Sequence, residues 1–166
     1  MVFFHGTKDP KLLLAAQTFD PKRLQARDSG FFGDGFYVTK NWKCAGTYGR
    51  NILTIELQPG TRLFHALEPG ASDGIVPTRR PSYHDALRRW YVSLRPDRAA
   101  RLEEEFDALY DPTSREFERL GWYKLVTRWV GATGIADGVF FTDSEIVLTN
   151  PRAVSFIERA TKGRRG

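Results

Sequence analysis

The chain has little sulfur and little histidine: one cysteine (Cys44), one methionine and three histidines in 166 residues. A single thiol excludes an intramolecular disulfide framework and any zinc site built on several thiolates, and it fits a reducing compartment. No stretch reaches the roughly 18–20 apolar residues of a membrane-spanning helix, so no membrane partner is expected. Met1-Val2-Phe3-Phe4 lacks the basic and long apolar regions of a signal peptide. That points to a cytoplasmic protein, or to one delivered into a target cell without an N-terminal signal. Internal repeats are absent, and so is regular alternation of strands and helices, which argues against a doubly wound sheet.

What the chain does have is apolar and aromatic mass. Hydrophobic residues make up 41% and aromatics 13%, enough for one folded domain with a core. The net charge of +5 permits attraction to nucleic acid or an acidic protein and establishes neither. Arg79, Arg80, Arg88, Arg89, Arg95, Arg98 and Arg101 crowd into one region. They make either a solvated helical face or a surface for an acidic acceptor such as RNA or DNA.

Val2-Phe3-Phe4 reads as an opening strand that delivers His5-Gly6-Thr7 to its end. Asp9-Pro10 reads as an N-cap and first helical residue of a helix to Gln17 that buries Leu12, Leu13 and Leu14. Residues 22–34 read as a charged loop, 35–39 as a second strand and 41–48 as a short helix or turn. In the strand 51–57, Leu53, Ile55 and Leu57 point one way and Thr54 and Glu56 the other. A short strand at 61–65 precedes a long surface loop at 66–82.

Helical spacing then places Leu87, Trp90, Tyr91 and Leu94 on one face, and Leu102, Phe106, Leu109 and Tyr110 on the next helix after a cap at Asp97. The capping-box pattern Thr113-Ser114-Arg115-Glu116 opens a third helix to about Trp129, broken by Gly131 to Gly138. It is apolar on more than one side and should be sandwiched between layers. Strands at 139–142 and 145–149 flank Asp143-Ser144, 153–160 fits either strand or helix, and 162–166 is a basic tail. The expectation is one α+β domain over 1–161 with a helical insert at about 82–131.

The stretch Ser29 to Tyr48 carries the densest ligand-like pattern. Gly30, Gly33 and Gly35 permit tight turns and close approach, interleaved with Phe31, Phe32, Phe36 and Tyr37. Tyr37 and Tyr48 are spaced so that they can sandwich a flat ring, worth roughly 0.5–2 kcal/mol per face if the ring is cationic; core packing is the plain alternative. His5 sits beside Gly6, whose exposed amide and carbonyl suit a planar carboxamide. Glu145 opens an otherwise apolar strand, where an acidic residue needs a reason; a solvent-facing strand start is the simplest one.

Taken in order, Phe4-His5-Gly6-Thr7-Lys8, Gly35-Phe36-Tyr37-Val38-Thr39, Ala45-Gly46-Thr47-Tyr48 and the late Glu145 resemble the NAD-dependent ADP-ribosyltransferases of the histidine–tyrosine–glutamate type. The diphtheria-toxin catalytic domain and the poly(ADP-ribose) polymerases are of this type. The resemblance covers roughly residues 3–65 and 136–151 and leaves the helical middle unmatched. It implies split antiparallel sheets around an NAD cleft, with NAD as co-substrate and no metal.

Residue by residue, it implies that His5 holds the adenine-side ribose and that Gly6 binds the carboxamide through its backbone. Thr7, Gly35 and Phe36 would complete the NAD-binding motifs, and Tyr37 and Tyr48 would stack on nicotinamide. Glu145 would be the catalytic glutamate, acting with His5 and Tyr37. The implied activity is single transfer of ADP-ribose to a protein, RNA or DNA acceptor, in a toxin or effector that has an antitoxin or immunity partner. An NAD glycohydrolase, an RNA 2′-phosphotransferase of related fold and a non-catalytic basic module are the alternatives. The arginine-directed branch, with Glu-x-Glu on the late strand, is disfavoured because Asp143 stands at the first of those positions, although Asp143 retains a place in orienting an acceptor.

Overall fold

Three consecutive residues, Ile146, Val147 and Leu148, are fully buried in one strand, and they serve two different cores. That alternation is the plan of the computed structural model, which describes residues 2–24, 32–67, 80–110 and 116–161, the last with side chains from 121 onward. The chain is a mixed α+β structure with two sheets. The smaller contains β1 (Val2–Thr7), β3 (Asn51–Leu57) and β7 (Val154–Arg159), antiparallel in the order β1-β3-β7. The larger has the order β2-β6-β5-β4, formed by β2 (Phe36–Val38), β6 (Glu145–Leu148), β5 (Gly138–Thr142) and β4 (Leu63–His65).

Ile146, Leu148, Phe36 and Val38 pack against Phe3, Leu53, Ile55 and Ile157, so one core lies between the sheets. Val147, Val139 and Phe141 turn the other way, onto Leu87, Phe106, Trp122, Tyr123 and Val126 of the helical layer. Each such side chain, fully buried, contributes roughly 1.5–3 kcal/mol. The helical layer comprises α4 (His84–Ser93), α5 (Ala99–Leu109) and α6 (Glu116–Thr133), preceded in the chain by α1 (Lys11–Ala16), α2 (Pro21–Leu24) and α3 (Trp42–Tyr48).

The large sheet is not wholly antiparallel, because β4 and β5 run parallel. Parallel neighbours need a long crossover, and the helical insert between residues 66 and 137 is that crossover. The insert therefore has a topological reason as well as a packing one. Beside the shared core, a backbone bridge joins the two sheets: Phe4 and Thr39 exchange hydrogen bonds of 2.8 and 2.9 Å.

Several local expectations change. Strand β1 continues through His5-Gly6-Thr7 instead of ending before them, because it pairs with β3 out to Thr7↔Asn51. Asp9 accepts the Lys11 N–H from one position outside the cap, which Pro10 occupies, and α1 leaves Leu12 54% exposed while Leu13 and Leu14 are half-buried. Helix α2 interrupts the expected loop. Asp97 makes no cap; it lies in a 3-10 turn and faces Arg95 and Arg98. Helix α6 runs through Gly131 to Thr133, and Thr54 is as buried as its neighbours.

The ambiguous segment 153–160 becomes strand β7, whose free edge is occupied by a side chain. Gln17 donates Nε2–H to Ile157 O and accepts the Ile157 N–H at Oε1, both at 2.9 Å, so an amide stands in for a neighbouring strand. Gly30, most of the loop 66–82, the capping-box residues 113–115 and the basic tail lie outside the described residues.

Candidate active site

The bridge between the sheets places β1 beside the end of β2, and the site grows from that junction. His5 is partly buried, with its ring 4.2 Å from Phe36. Its Nδ1–H donates to the Tyr37 carbonyl at 2.7 Å. A carbonyl only accepts, so this bond fixes the tautomer and leaves Nε2 as the acceptor. Burial pushes the His5 pKa below the usual imidazole value, opposed by the bond to Tyr37. The ring is neutral at neutral pH.

Tyr37 is held at both ends. Its hydroxyl donates to Gly33 O at 2.8 Å and accepts the Phe32 N–H at 3.1 Å. Gly33 has φ of +101°, a conformation glycine adopts without strain, and this turns its carbonyl to the phenol. Burial raises the Tyr37 pKa, with the nearby Glu145 charge adding to the effect.

Helix α3 brings the second tyrosine. Asn41 caps it by accepting the Lys43 N–H at 2.9 Å. Cys44 and Tyr48, one helical turn apart, face the β5–β6 hairpin together. Cys44 Sγ lies 3.5 Å from Ser144 Oγ, and Tyr48 Oη donates to Glu145 Oε1 at 2.6 Å. The Tyr48 side of the cluster is open, with the residue 53% exposed. Desolvation raises the Glu145 pKa, and the Tyr48 hydrogen bond opposes that rise. A neighbouring clamp fixes the hairpin: Lys40 Nζ meets Asp143 Oδ1 at 2.6 Å, and Lys40 N–H donates to Asp143 O at 2.8 Å. Asp143 is thus engaged by Lys40.

Gly6 does two things. A Cβ there would stand 1.8 Å from Ala45 O, so only glycine lets α3 lie this close to β1. Its backbone also faces the junction. Phe4 exchanges its hydrogen bonds with Thr39, and in a pleated strand Gly6, two residues on, presents N–H and C=O on the same edge. No backbone partner meets them on that side among the described residues.

The structure thus brings His5, Gly6, Tyr37, Tyr48 and Glu145 into one neighbourhood. The other motif residues sit at its margins. Thr7 Oγ1 turns to Asp9 O at 3.3 Å, and its backbone abuts Gly49. Phe36 is 1% exposed between Phe19 and His5, so it can only back the imidazole, not touch a ligand. At Gly35 a Cβ would meet Val147 Cγ1 at 2.2 Å, so its bareness serves packing against β6. Lys40 and Ser144 carry no sequence signal as site residues, since nothing in spacing links residues about a hundred positions apart.

Five of the seven clustered arginines face carboxylates, and Arg79 lies outside the described residues. Arg80 faces Asp85, Arg88 faces Glu103 and Asp107, Arg95 and Arg98 face Asp97, and Arg101 faces Glu105. A cavity of about 420 Å³ on α4 and α5 is lined by Arg80, His84, Arg88, Asp107 and Tyr110. None of its lining residues belongs to the cluster around Glu145, and acids balance its two arginines.

No family model matches the chain, and no curated protein matches it. Among solved structures it is similar to a crystal structure of an anti-CRISPR protein, with 16% identity and a TM-score of 0.43 over 96% of this chain and 95% of that one. A likeness of that size transfers neither fold nor function.

Proposed function

We propose that this chain is a mono-ADP-ribosyltransferase, which cleaves NAD and passes ADP-ribose to a macromolecular acceptor, protein or nucleic acid. The observation that carries the reading is the 2.6 Å hydrogen bond from Tyr48 to Glu145, joining residues 97 positions apart. It sets a carboxylate beside an open aromatic face at the junction where His5 and Gly6 also lie.

Each of these groups suits a part of NAD. The backbone N–H and C=O of Gly6 match the donor and acceptor of a primary carboxamide. The exposed Tyr48 ring offers a π face to a cationic pyridinium. The Nε2 of neutral His5 accepts from a ribose hydroxyl. When bound, NAD supplies a C1′–nicotinamide bond whose cleavage develops oxocarbenium charge, as in glycoside hydrolysis. Glu145 is partly desolvated and fixed, so its negative charge acts more strongly on that positive charge than a solvated carboxylate would. The ion-paired arginines weaken the reading as a basic binding module.

The test is incubation with NAD labelled in its adenylate half, with and without cell extract, for the wild type and Glu145→Ala. Nicotinamide release with label on protein, RNA or DNA, lost in the variant, supports transfer. Release with free ADP-ribose alone makes the chain a glycohydrolase. No nicotinamide release from the wild type overturns the proposal.

A further inference from the structure

Tyr48 is an unusual surface tyrosine. Its ring is half exposed, yet its hydroxyl makes a short charge-assisted bond to a carboxylate that is otherwise half buried. The helix that carries it is tied down at several points. Trp42, its first residue, packs edge-on to Phe4 at 5.4 Å. Ala45 rests on the bare Cα of Gly6, Cys44 meets Ser144, and Gly49 just beyond the helix abuts the Thr7 backbone. These ties fix the backbone from which the Tyr48 ring projects, independent of Glu145. On the other partner, Oε1 is taken, whereas Oε2 accepts no hydrogen bond among the described residues.

We infer that Tyr48 is a positioning residue: its hydroxyl pins Glu145 Oε1 and leaves Oε2 as the oxygen that meets a ribose hydroxyl. The inference rests on the ADP-ribosyltransferase reading and gives Tyr48 a duty beyond its ring. Tyr37 cannot share this duty, because its hydroxyl is spent on Gly33 and Phe32. Among the described residues, the ionisable groups of this neighbourhood are Tyr48 and Cys44 from α3, Tyr37 from β2 with Asp34 before it, the Lys40–Asp143 pair at the hairpin and His5 from β1. Of these, Tyr48 alone bonds the carboxylate.

Tyr48→Phe keeps the ring and removes the hydroxyl. Two measurements read the consequence. The first is the ¹³C carboxyl titration of Glu145, assigned by difference against Glu145→Gln, which needs no ligand. Losing a donor to the carboxylate moves the Glu145 titration upward in Tyr48→Phe. The second is NAD turnover: kcat falls about 10- to 100-fold, as for loss of one hydrogen bond to a charged group. KM for NAD stays put, and the acid limb of the kcat–pH profile moves up in step with the titration.

An unshifted Glu145 titration overturns the inference whatever the turnover, and so does a rise in KM at unchanged kcat, which would make the Tyr48 hydroxyl a contact for bound NAD and not a holder of Glu145. A staple without a catalytic role lowers the melting temperature but leaves kcat unchanged, which likewise overturns it. Absence of nicotinamide release from the wild type overturns the parent reading and, with it, the catalytic half of this one. The titration then still decides whether Tyr48 holds the carboxylate.

Discussion

A side-chain carbon on Gly6 would stand 1.8 Å from the carbonyl oxygen of Ala45. The obstacle is helix backbone, which cannot rotate away as a side chain can. Gly6→Ala therefore overpacks the contact between β1 and α3 and costs at least about 1–3 kcal/mol. In the same helix, a Cβ on Gly46 would meet nothing nearer than Ile52 Cδ1 at 3.8 Å, an ordinary contact. Gly46→Ala should gain about 0.5–1 kcal/mol by helix propensity. The urea midpoints of the two variants are expected to move in opposite directions.

That contrast marks what could be read in the sequence. Strand β3 announces itself by apolar alternation and β5 and β6 by short apolar runs, and the neighbourhood of His5, Tyr37, Tyr48 and Glu145 was legible through short motifs around each residue. The reasons for Gly6 and Gly35 were not, because a bare Cα looks the same whether ligand or backbone fills the space. Leu12 looks like core by composition, yet α1 spans only six residues, and the two leucines after it turn to the core. Segment 153–160 fits either state in sequence because its strand partner β3 lies about a hundred residues away and the Gln17 amide at its other edge lies 140 residues from Ile157. Cys44–Ser144 and Lys40–Asp143 are tertiary pairs with no local signature.

Glu145→Gln separates catalysis from stability. Removing the charge should lower nicotinamide release about 10²- to 10³-fold, the range for a fixed electrostatic group at a reacting centre. Stability should move the other way. Desolvation raises the folded-state pKa, so above the ordinary glutamate pKa the native state binds more protons than the unfolded chain. Wild-type stability then falls as pH rises through the folded pKa. The glutamine variant lacks that penalty, and its advantage in melting temperature is expected to grow from about pH 4 toward neutrality and then level off.

Asp137 ties together three chain segments. Its carboxylate accepts the Arg62 N–H at 2.8 Å and the Asn150 Nδ2–H at 2.7 Å, while its own N–H donates to Arg62 O at 2.8 Å. Those contacts set β4 against β5 and end the run of β6. Asp137→Ala leaves two donors without their acceptor at a half-buried site, at a cost of about 1–3 kcal/mol. Asp137→Asn keeps one acceptor oxygen and should recover part of that loss. Chemical denaturation of the three proteins checks the order wild type, Asn, Ala.

His5 gives a pH prediction of opposite sign. Its folded-state pKa is lowered, chiefly by burial, so the native state resists protonation while the unfolded chain takes a proton near pH 6.5. As pH falls below that value the unfolded state binds more protons, and stability declines until the folded pKa is passed. His5→Asn keeps a donor with which to reach the Tyr37 carbonyl and carries no titratable group. Its stability should therefore fall less than that of the wild type between about pH 7 and pH 5. Two-dimensional ¹H–¹⁵N spectra of the imidazole should report the Nδ1–H tautomer at neutral pH, as donation to a carbonyl requires. Observation of the Nε2–H form, or of a His5 titration at or above the ordinary imidazole value, would contradict the geometry from which His5 offers Nε2 to a ligand.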